Sequence, residues 1–164
     1  MRVLLITDTH IGPSRPGRRL PDKVYEILLE GVDAIVHAGD VTAPELLHEL
    51  EGFAPVHAVL GNNDVALRLP ETIQVDLAGV EVAVIHDSGP STGRAGRLRR
   101  RFPSADVVVF GHSHLPWDET DPGGQRHLNP GSPTERRMAP TRTVGLLDLA
   151  DGTVRGYQLV VVDE

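Results

Sequence analysis

The 164-residue sequence contains no cysteine. That excludes disulfides, thiolate metal sites and a cysteine nucleophile together, and it fits a reducing compartment. Aromatic residues make up only 4% of the chain, so a core has to be assembled from Val, Leu, Ile and Ala. Lysine is nearly absent too: Lys23 is the only one, and the other basic side chains are arginines. No apolar run approaches membrane-spanning length, and the opening MRVLLITD meets an acid too early for a secretory leader. The expectation is a cytoplasmic protein with no membrane partner. A net charge of −7 weighs against nonspecific attachment to nucleic acid or to an anionic membrane.

At this length a single domain over residues 1–164 is expected, large enough to bury a core. Apolar, β-branched runs recur at 3–7, 34–38, 56–60, 72–77, 80–86, 106–110, 144–149 and 157–162, each bounded by Gly, Pro, Asp or Asn. The early runs are nearly continuous, as in strands covered on both faces, whereas TIQVDL (72–77) alternates like a half-exposed one. Ala78-Gly79 and Asp151-Gly152 read as hairpin turns. Between the first strands, Leu20, Val24, Ile27 and Leu28 share one helical face, with Gly31 as the stop. Thr42 and Glu45 read as a capping box ahead of the stripe Leu46, Leu47 and Leu50. Residues 92–102 form a third, arginine-rich helix. The first half is thus βαβαβ and the second mostly β, an α/β protein.

The informative pattern is where polar residues fall. Asp8-Thr9-His10, Gly39-Asp40, Gly61-Asn62-Asn63-Asp64, His86 and Gly111-His112-Ser113-His114 each follow a strand. Carboxyl ends of strands are where α/β sheets place their ligand sites. The set is oxygen and imidazole nitrogen without sulfur, which suits Mn, Fe, Zn, Ni or Co and disfavours an all-oxygen Ca site. Seven such groups are too many for one ion and fit two ions sharing a carboxylate. In extended backbone, residues i and i+2 point to one side, so D-x-H and H-x-H can each serve one pocket. The glycines before Asp40, Asn62 and His112 are expected to let the chain turn off the strand.

TDTHIG, HAGDV, LGNNDV, VIHDS and FGHSH resemble, in order, the five motifs of the calcineurin-like metallophosphoesterases. The short length and HLNPGSP (127–133) are similar to the small bacterial and archaeal YfcE-like phosphodiesterase branch, to which the small retromer subunit of eukaryotes is related. The resemblance implies a four-layer αββα sandwich of two mixed sheets flanked by helices. It implies one metal held by Asp8, His10, Asp40 and His114, and a second held by Asp40, Asn62, His86 and His112, with Asp40 bridging. Two divalent ions per chain are expected, Mn²⁺ first among them. Roughly 3.5–4 Å apart, they would acidify a bridging water so that hydroxide attacks phosphorus in line. Asp40, Asn62, Asp64 and His86 are the expected catalytic residues, Asp64 by orienting its loop through hydrogen bonds.

The sequence departs from the larger members of the family at Asn63, where they carry a histidine thought to protonate the leaving group. An amide cannot donate that proton at neutral pH, so small phosphodiesters with good leaving groups are the expected substrates. Asn63, Arg15 and Arg18 are the candidate substrate contacts. For Arg15, Arg18 and Arg19 a substrate role and a solvated loop both stand open; residues 97–101 read as a solvated helix face, and Arg136 or Arg137 as a neighbour of the site. His37 reads as a hydrogen-bonded core histidine or a partner behind the ligands; His48, His57 and His127 receive no ligand role. The alternatives are a protein-binding scaffold on the same fold, or a phosphomonoesterase or nuclease of the same class. Nucleic acid would want a basic groove that this acidic chain offers little of, and a homo-oligomer is left open.

Overall fold

In strand β1 (Arg2–Ile6) Val3 and Leu5 point to one side and Leu4 and Ile6 to the other, and all four are fully buried. This is the two-residue period of a strand covered on both faces. The computed structural model describes residues 1–163. β1 is followed in parallel by β2 (Ala34–His37) and β3 (Val56–Ala58), through helices α1 (Asp22–Glu30) and α2 (Pro44–Glu51). Both helices lay their apolar stripes, Val24, Ile27 and Leu28 in one and Leu46 and Leu50 in the other, on the Leu4/Ile6 face of the sheet.

The chain then builds a second sheet from β4 (Thr72–Leu77), β5 (Val80–Ile85), β6 (Val107–Val109), β7 (Trp117–Thr120) and β8 (Arg126–Asn129), with α3 (Arg94–Arg101) between β5 and β6. β9 (Thr143–Ala150) and β10 (Thr153–Val161) return to the first sheet, β9 antiparallel beside β1. The orders are β10-β9-β1-β2-β3 and β4-β5-β6-β8-β7, both mixed. Val3, Leu5 and Val36 meet Val82, Val84, Val107 and Val109 between the sheets, and Leu98 and Phe102 cover the outer face of the second. The layers are therefore helices, sheet, sheet, helix, the expected αββα sandwich with aliphatic packing at its centre. Among the described residues no helix is long and apolar enough to cross a membrane.

Both expected hairpins form, with Ala78 and Gly79, and Asp151 and Gly152, in left-handed conformation. The capping box does not. Ala43 caps α2 with no side-chain bond, because Thr42 is engaged elsewhere: its hydroxyl donates to the Ile11 carbonyl at 3.0 Å and its N–H to Asp64 Oδ1 at 2.7 Å. Two strands went unread, β7 (WDET) and β8 (RHLN), neither of which carries a β-branched apolar run. Backbone pairing and a cross-strand, two-toothed Arg126–Asp118 pair at 2.8 Å hold them instead.

Candidate metal centre

The carboxyl ends of β1, β2, β3, β5 and β6 converge, and all seven expected ligands meet there. Asp8, His10, Asp40 and Asn62 come from the first sheet; His86, His112 and His114 come from the second. His114 Nε2 is 3.4 Å from Asp8 Oδ1 and 3.3 Å from His10 Nε2. His10 Nε2 is 3.5 Å from Asp40 Oδ2, which is in turn 3.4 Å from His86 Nε2. Asn62 Oδ1 stands 3.0 Å from His86 Nε2 and 3.1 Å from His112 Nδ1. Ligand atoms of Asp8, His10 and His114, and of Asp8, Asp40 and His86, form two groups, each within 4.8 Å. Asp8 belongs to both, and Asp40 reaches a histidine of each. Asp8 and His114 are fully buried, while Asn62 is exposed and His112 half-buried, so the cluster has a closed floor and an open rim.

The donor set fits divalent cations. Asp8 Oδ1 is shielded from solvent and has no hydrogen-bond partner, a costly state for a buried carboxylate oxygen. His86 Nδ1 donates to the Ala38 carbonyl at 2.7 Å, and His114 Nδ1 to the Glu135 carbonyl at 2.8 Å. Those bonds fix the tautomer of the neutral rings, in which each Nε2 is a lone pair aimed inward. His86 Nε2 thus faces Asn62 Oδ1 acceptor to acceptor, an arrangement that a shared cation relieves.

The backbone that delivers these groups differs from the expectation. Asp8, His10, Asp40, His112 and His114 have φ of 53°, 46°, 56°, 70° and 60°. They lie in the left-handed region, not in extended backbone, so each side chain swings off its strand by a local reversal. Such angles cost about 1–3 kcal/mol for residues other than glycine and persist only where surroundings enforce them. Of the three glycines, Gly39 turns the chain as expected, with φ of 93°, whereas Gly61 and Gly111 have a different job. A Cβ on Gly61 would collide with the Asp40 carboxylate, and one on Gly111 would lie 2.8 Å from Asp8 Oδ2 and collide with Thr7 Oγ1. Neither residue has positive φ; Gly61 is small because the Asp40 carboxylate occupies that space, and Gly111 because Thr7 and then the Asp8 carboxylate do.

Residues 1–152 match the family model described as the calcineurin-like phosphoesterase superfamily domain. The chain belongs to that superfamily. It is 36% identical over 142 residues to a probable metallophosphoesterase of Methanothermobacter thermautotrophicus, covering 84% of this chain and 80% of that one. Among solved structures it resembles an archaeal phosphodiesterase at 22% identity and a TM-score of 0.74, over 98% of this chain and 99% of that one. It also resembles the zinc complex of Vps29 from Entamoeba histolytica at 22% identity and a TM-score of 0.79, over 99% and 100%. At those identities the two structures speak for the fold alone. Family and donor set together make the chain a metal-dependent phosphoesterase.

In this phosphoesterase Asp64 takes three backbone N–H groups, from Asp40, Thr42 and Gly61, at 2.7–2.9 Å. It orients the loops, as expected, and lies behind the ligands. Asn63, a candidate substrate contact, turns inward: its backbone and side-chain N–H groups donate to the two Asp40 oxygens at 2.8 and 2.7 Å. Burial disfavours charge on Asp40, yet a protonated His86 ring, whose Nε2 then donates to it, and the Asn63 N–H groups outweigh burial and hold the carboxyl below the usual range. Burial also disfavours charge on His86, and there the Asp40 bond and the Asp8 and Asp40 charges win, raising its pKa. Burial lowers His10 against the pull of Asp40 and Asp8. His37 is driven by burial down to about 3; it accepts from Gly39 N–H at 3.2 Å and lies 3.1 Å from the Thr9 hydroxyl, a neutral core histidine behind the ligand loops.

HLNPGSP, with the Thr134 that follows it, proves to be a brace. Asn129 Nδ2 donates to the Gly111 carbonyl at 3.0 Å, and Ser132 and Thr134 hydroxyls donate to the carbonyls of Asp8 and Thr9 at 2.8 and 2.7 Å. It ties the D-x-H and H-x-H segments together. Arg15 and Arg18 pair with Glu135, a residue the sequence reading passed over. In the 94–101 helix Arg99 pairs with Asp121, Arg97 caps the carbonyls of Ser88, Pro90 and Thr92, and Arg94 stacks on Phe110 and Trp117. Arg101 alone of these lines a groove of about 340 Å³ shared with Asn62 and His86.

Proposed function

We propose that this phosphoesterase hydrolyses phosphodiesters with the help of two divalent ions, Mn²⁺ foremost. Asp8, His10, Asp40 and His114 would hold one, and Asp40, Asn62, His86 and His112 the other. When bound, the ions supply positive charge that polarises phosphoryl oxygens and acidifies water. The protein's share is placement. Asn63 and Asp64 fix Asp40 and its loop, the Ala38 and Glu135 carbonyls aim two imidazoles, and the open rim at Asn62 and His112 admits the ester. The observation that carries this reading is Asp8 Oδ1, buried without a hydrogen-bond partner among inward-facing ring nitrogens.

The ester class follows from Asn63. Its amide is committed to Asp40 and cannot protonate an alkoxide. General acid assistance is worth about 10²–10⁴-fold, so its lack at this position favours diesters with good leaving groups over monoesters. Metal analysis of the purified protein, followed by an aryl phosphodiester and the matching monoester, tests both points. Two ions per chain and a faster diester are expected. Two ions without hydrolysis of any phosphoester would favour a scaffold, and full activity after chelation would sink the reading.

A further inference from the structure

Glu135 lies one bond from the ligand set, since its carbonyl holds His114, and its carboxylate faces three guanidinium groups. Arg15 Nη2 is 3.6 Å from it, Arg18 Nη2 3.3 Å and Arg137 Nε 3.8 Å. Arg137 also donates to the His112 carbonyl at 3.3 Å, so the cluster abuts both histidines of the H-x-H segment. These pairs are loose. Elsewhere in the same chain Arg99 grips Asp121 with two bonds of 2.9 and 2.6 Å, and Arg126 grips Asp118 with two of 2.8 Å, the spacing of charge-assisted, two-toothed contacts. Around Glu135 one carboxylate is spread over three cations and satisfies none of them fully. Arg18 Nη1 records the deficit: it is shielded from solvent and has no acceptor.

The positive surplus extends outward. A groove of about 570 Å³ is lined by Thr134, Glu135, Arg136, Arg137, Arg142 and Asp163. With Arg15 and Arg18 added, five arginines stand against two acids, a surplus of three on a chain whose net charge is −7. The groove on the His86 side carries Glu71 and Asp87 against Arg101, a deficit of one. The centre therefore has a cationic flank and a mildly anionic one, and a substrate with two unlike arms meets complementary charge in one orientation only.

We propose that Arg15, Arg18 and Arg137 around Glu135 form a subsite for a second phosphate group carried on one arm of the phosphodiester substrate. Guanidinium groups suit it because their planar forks match phosphate oxygens. Glu135 is the internal anion that keeps the three cations gathered until that phosphate enters. The subsite rests on the phosphodiesterase reading for its substrate, though not for its anion chemistry.

The test uses a nitrophenyl phosphodiester whose other arm ends in a phosphate, and the same diester ending in a hydroxyl. Wild type is expected to favour the first in kcat/KM. Arg137→Gln should lower that preference about tenfold, the loss of one charged hydrogen bond, while Glu135→Gln should raise it. Arg15→Gln, at a half-exposed side chain, repeats the first result should Arg137→Gln fold poorly. Independently of turnover, calorimetric titration of the metal-free protein with inorganic phosphate should show weaker binding in the arginine variants and tighter binding in Glu135→Gln. A preference and a phosphate affinity that ignore the sign of the substitution would overturn the subsite and leave Glu135 a structural tie. Phosphate binding that follows the sign, in a protein hydrolysing no diester, would keep the subsite and remove the diesterase reading.

Discussion

At one end of the sandwich Ala78, Gly79, Asp151 and Gly152 take left-handed backbone angles; at the other, Asp8, His10, Asp40, His112 and His114 do the same. At the hairpin end the conformation has a local cause. Two-residue turns with both φ positive match the twist of the strands they join, each turn carries a glycine, and Gly152 N–H donates to the Ala78 carbonyl at 2.9 Å, locking the two hairpins together. At the metal end none of the five is a glycine and no hairpin accounts for the angles. There the bent residues are held by other ligand loops: Asp8 N–H by the Gly39 carbonyl, His10 N–H by the Asp40 carbonyl, and His112 N–H by Asp8 Oδ2, at 2.9–3.0 Å. The same region of backbone space is an inexpensive turn at one end and a mutually enforced strain at the other.

The sharpest way to break this comparison is to remove charge from the strained end. Asp40→Asn should lower phosphodiester hydrolysis roughly a thousandfold, several kcal/mol of charge stabilisation, measured as kcat/KM with saturating Mn²⁺. Next in size is linkage. With free Mn²⁺ at about a hundred times its Kd, wild type should gain about 2.7 kcal/mol against unfolding, and Asp8→Asn should gain far less; equal gains in thermal midpoint would remove Asp8 from the ligand set. Glycine separates the two ends directly. Gly111→Ala intrudes on Asp8 and should cost about 1–3 kcal/mol together with metal stoichiometry. Gly152→Ala should cost about 1 kcal/mol and leave the stoichiometry unchanged.

The last effect, at His37, is read as a slope in pH. Unfolded, its ring takes a proton near 6.5; folded, it refuses one until about 3. Between those values the unfolded chain binds more protons, so stability falls as pH falls, by about 1.4 kcal/mol per pH unit from this group. Urea melts of His37→Gln from pH 6.5 to 4 should show a slope shallower by about one proton. An unchanged slope would mean that another group sets the acid limit.

Which side chains gather at the centre was legible in the sequence because the constraint is chemical: only certain side chains suit divalent cations with mixed nitrogen and oxygen donors, and five short segments carried them in order. How they are presented was not legible. Nothing in Asp8-Thr9-His10 marks a left-handed bend, because the bonds enforcing it arrive from Gly39, Asp40 and Ser132, some 30 and 124 residues away. The same holds for Thr42, whose local pattern promises a cap and whose hydroxyl instead answers Ile11. The sheet cores could be read from Val and Leu alternation. β7 and β8 could not, since their pairing depends on neighbours rather than on composition. Glu135 gave no signal beyond being one acid ahead of two arginines; its meaning comes from loops that meet only after folding.

Four of the seven donors hang from one sheet and three from the other. Neither layer alone can assemble the cup, and any motion that parts the layers takes it apart. An ion seated there acts as a clasp across the aliphatic seam. Loosening of that seam, seen as faster amide exchange in β1 and β5, should therefore be the first mechanical sign of an emptied centre.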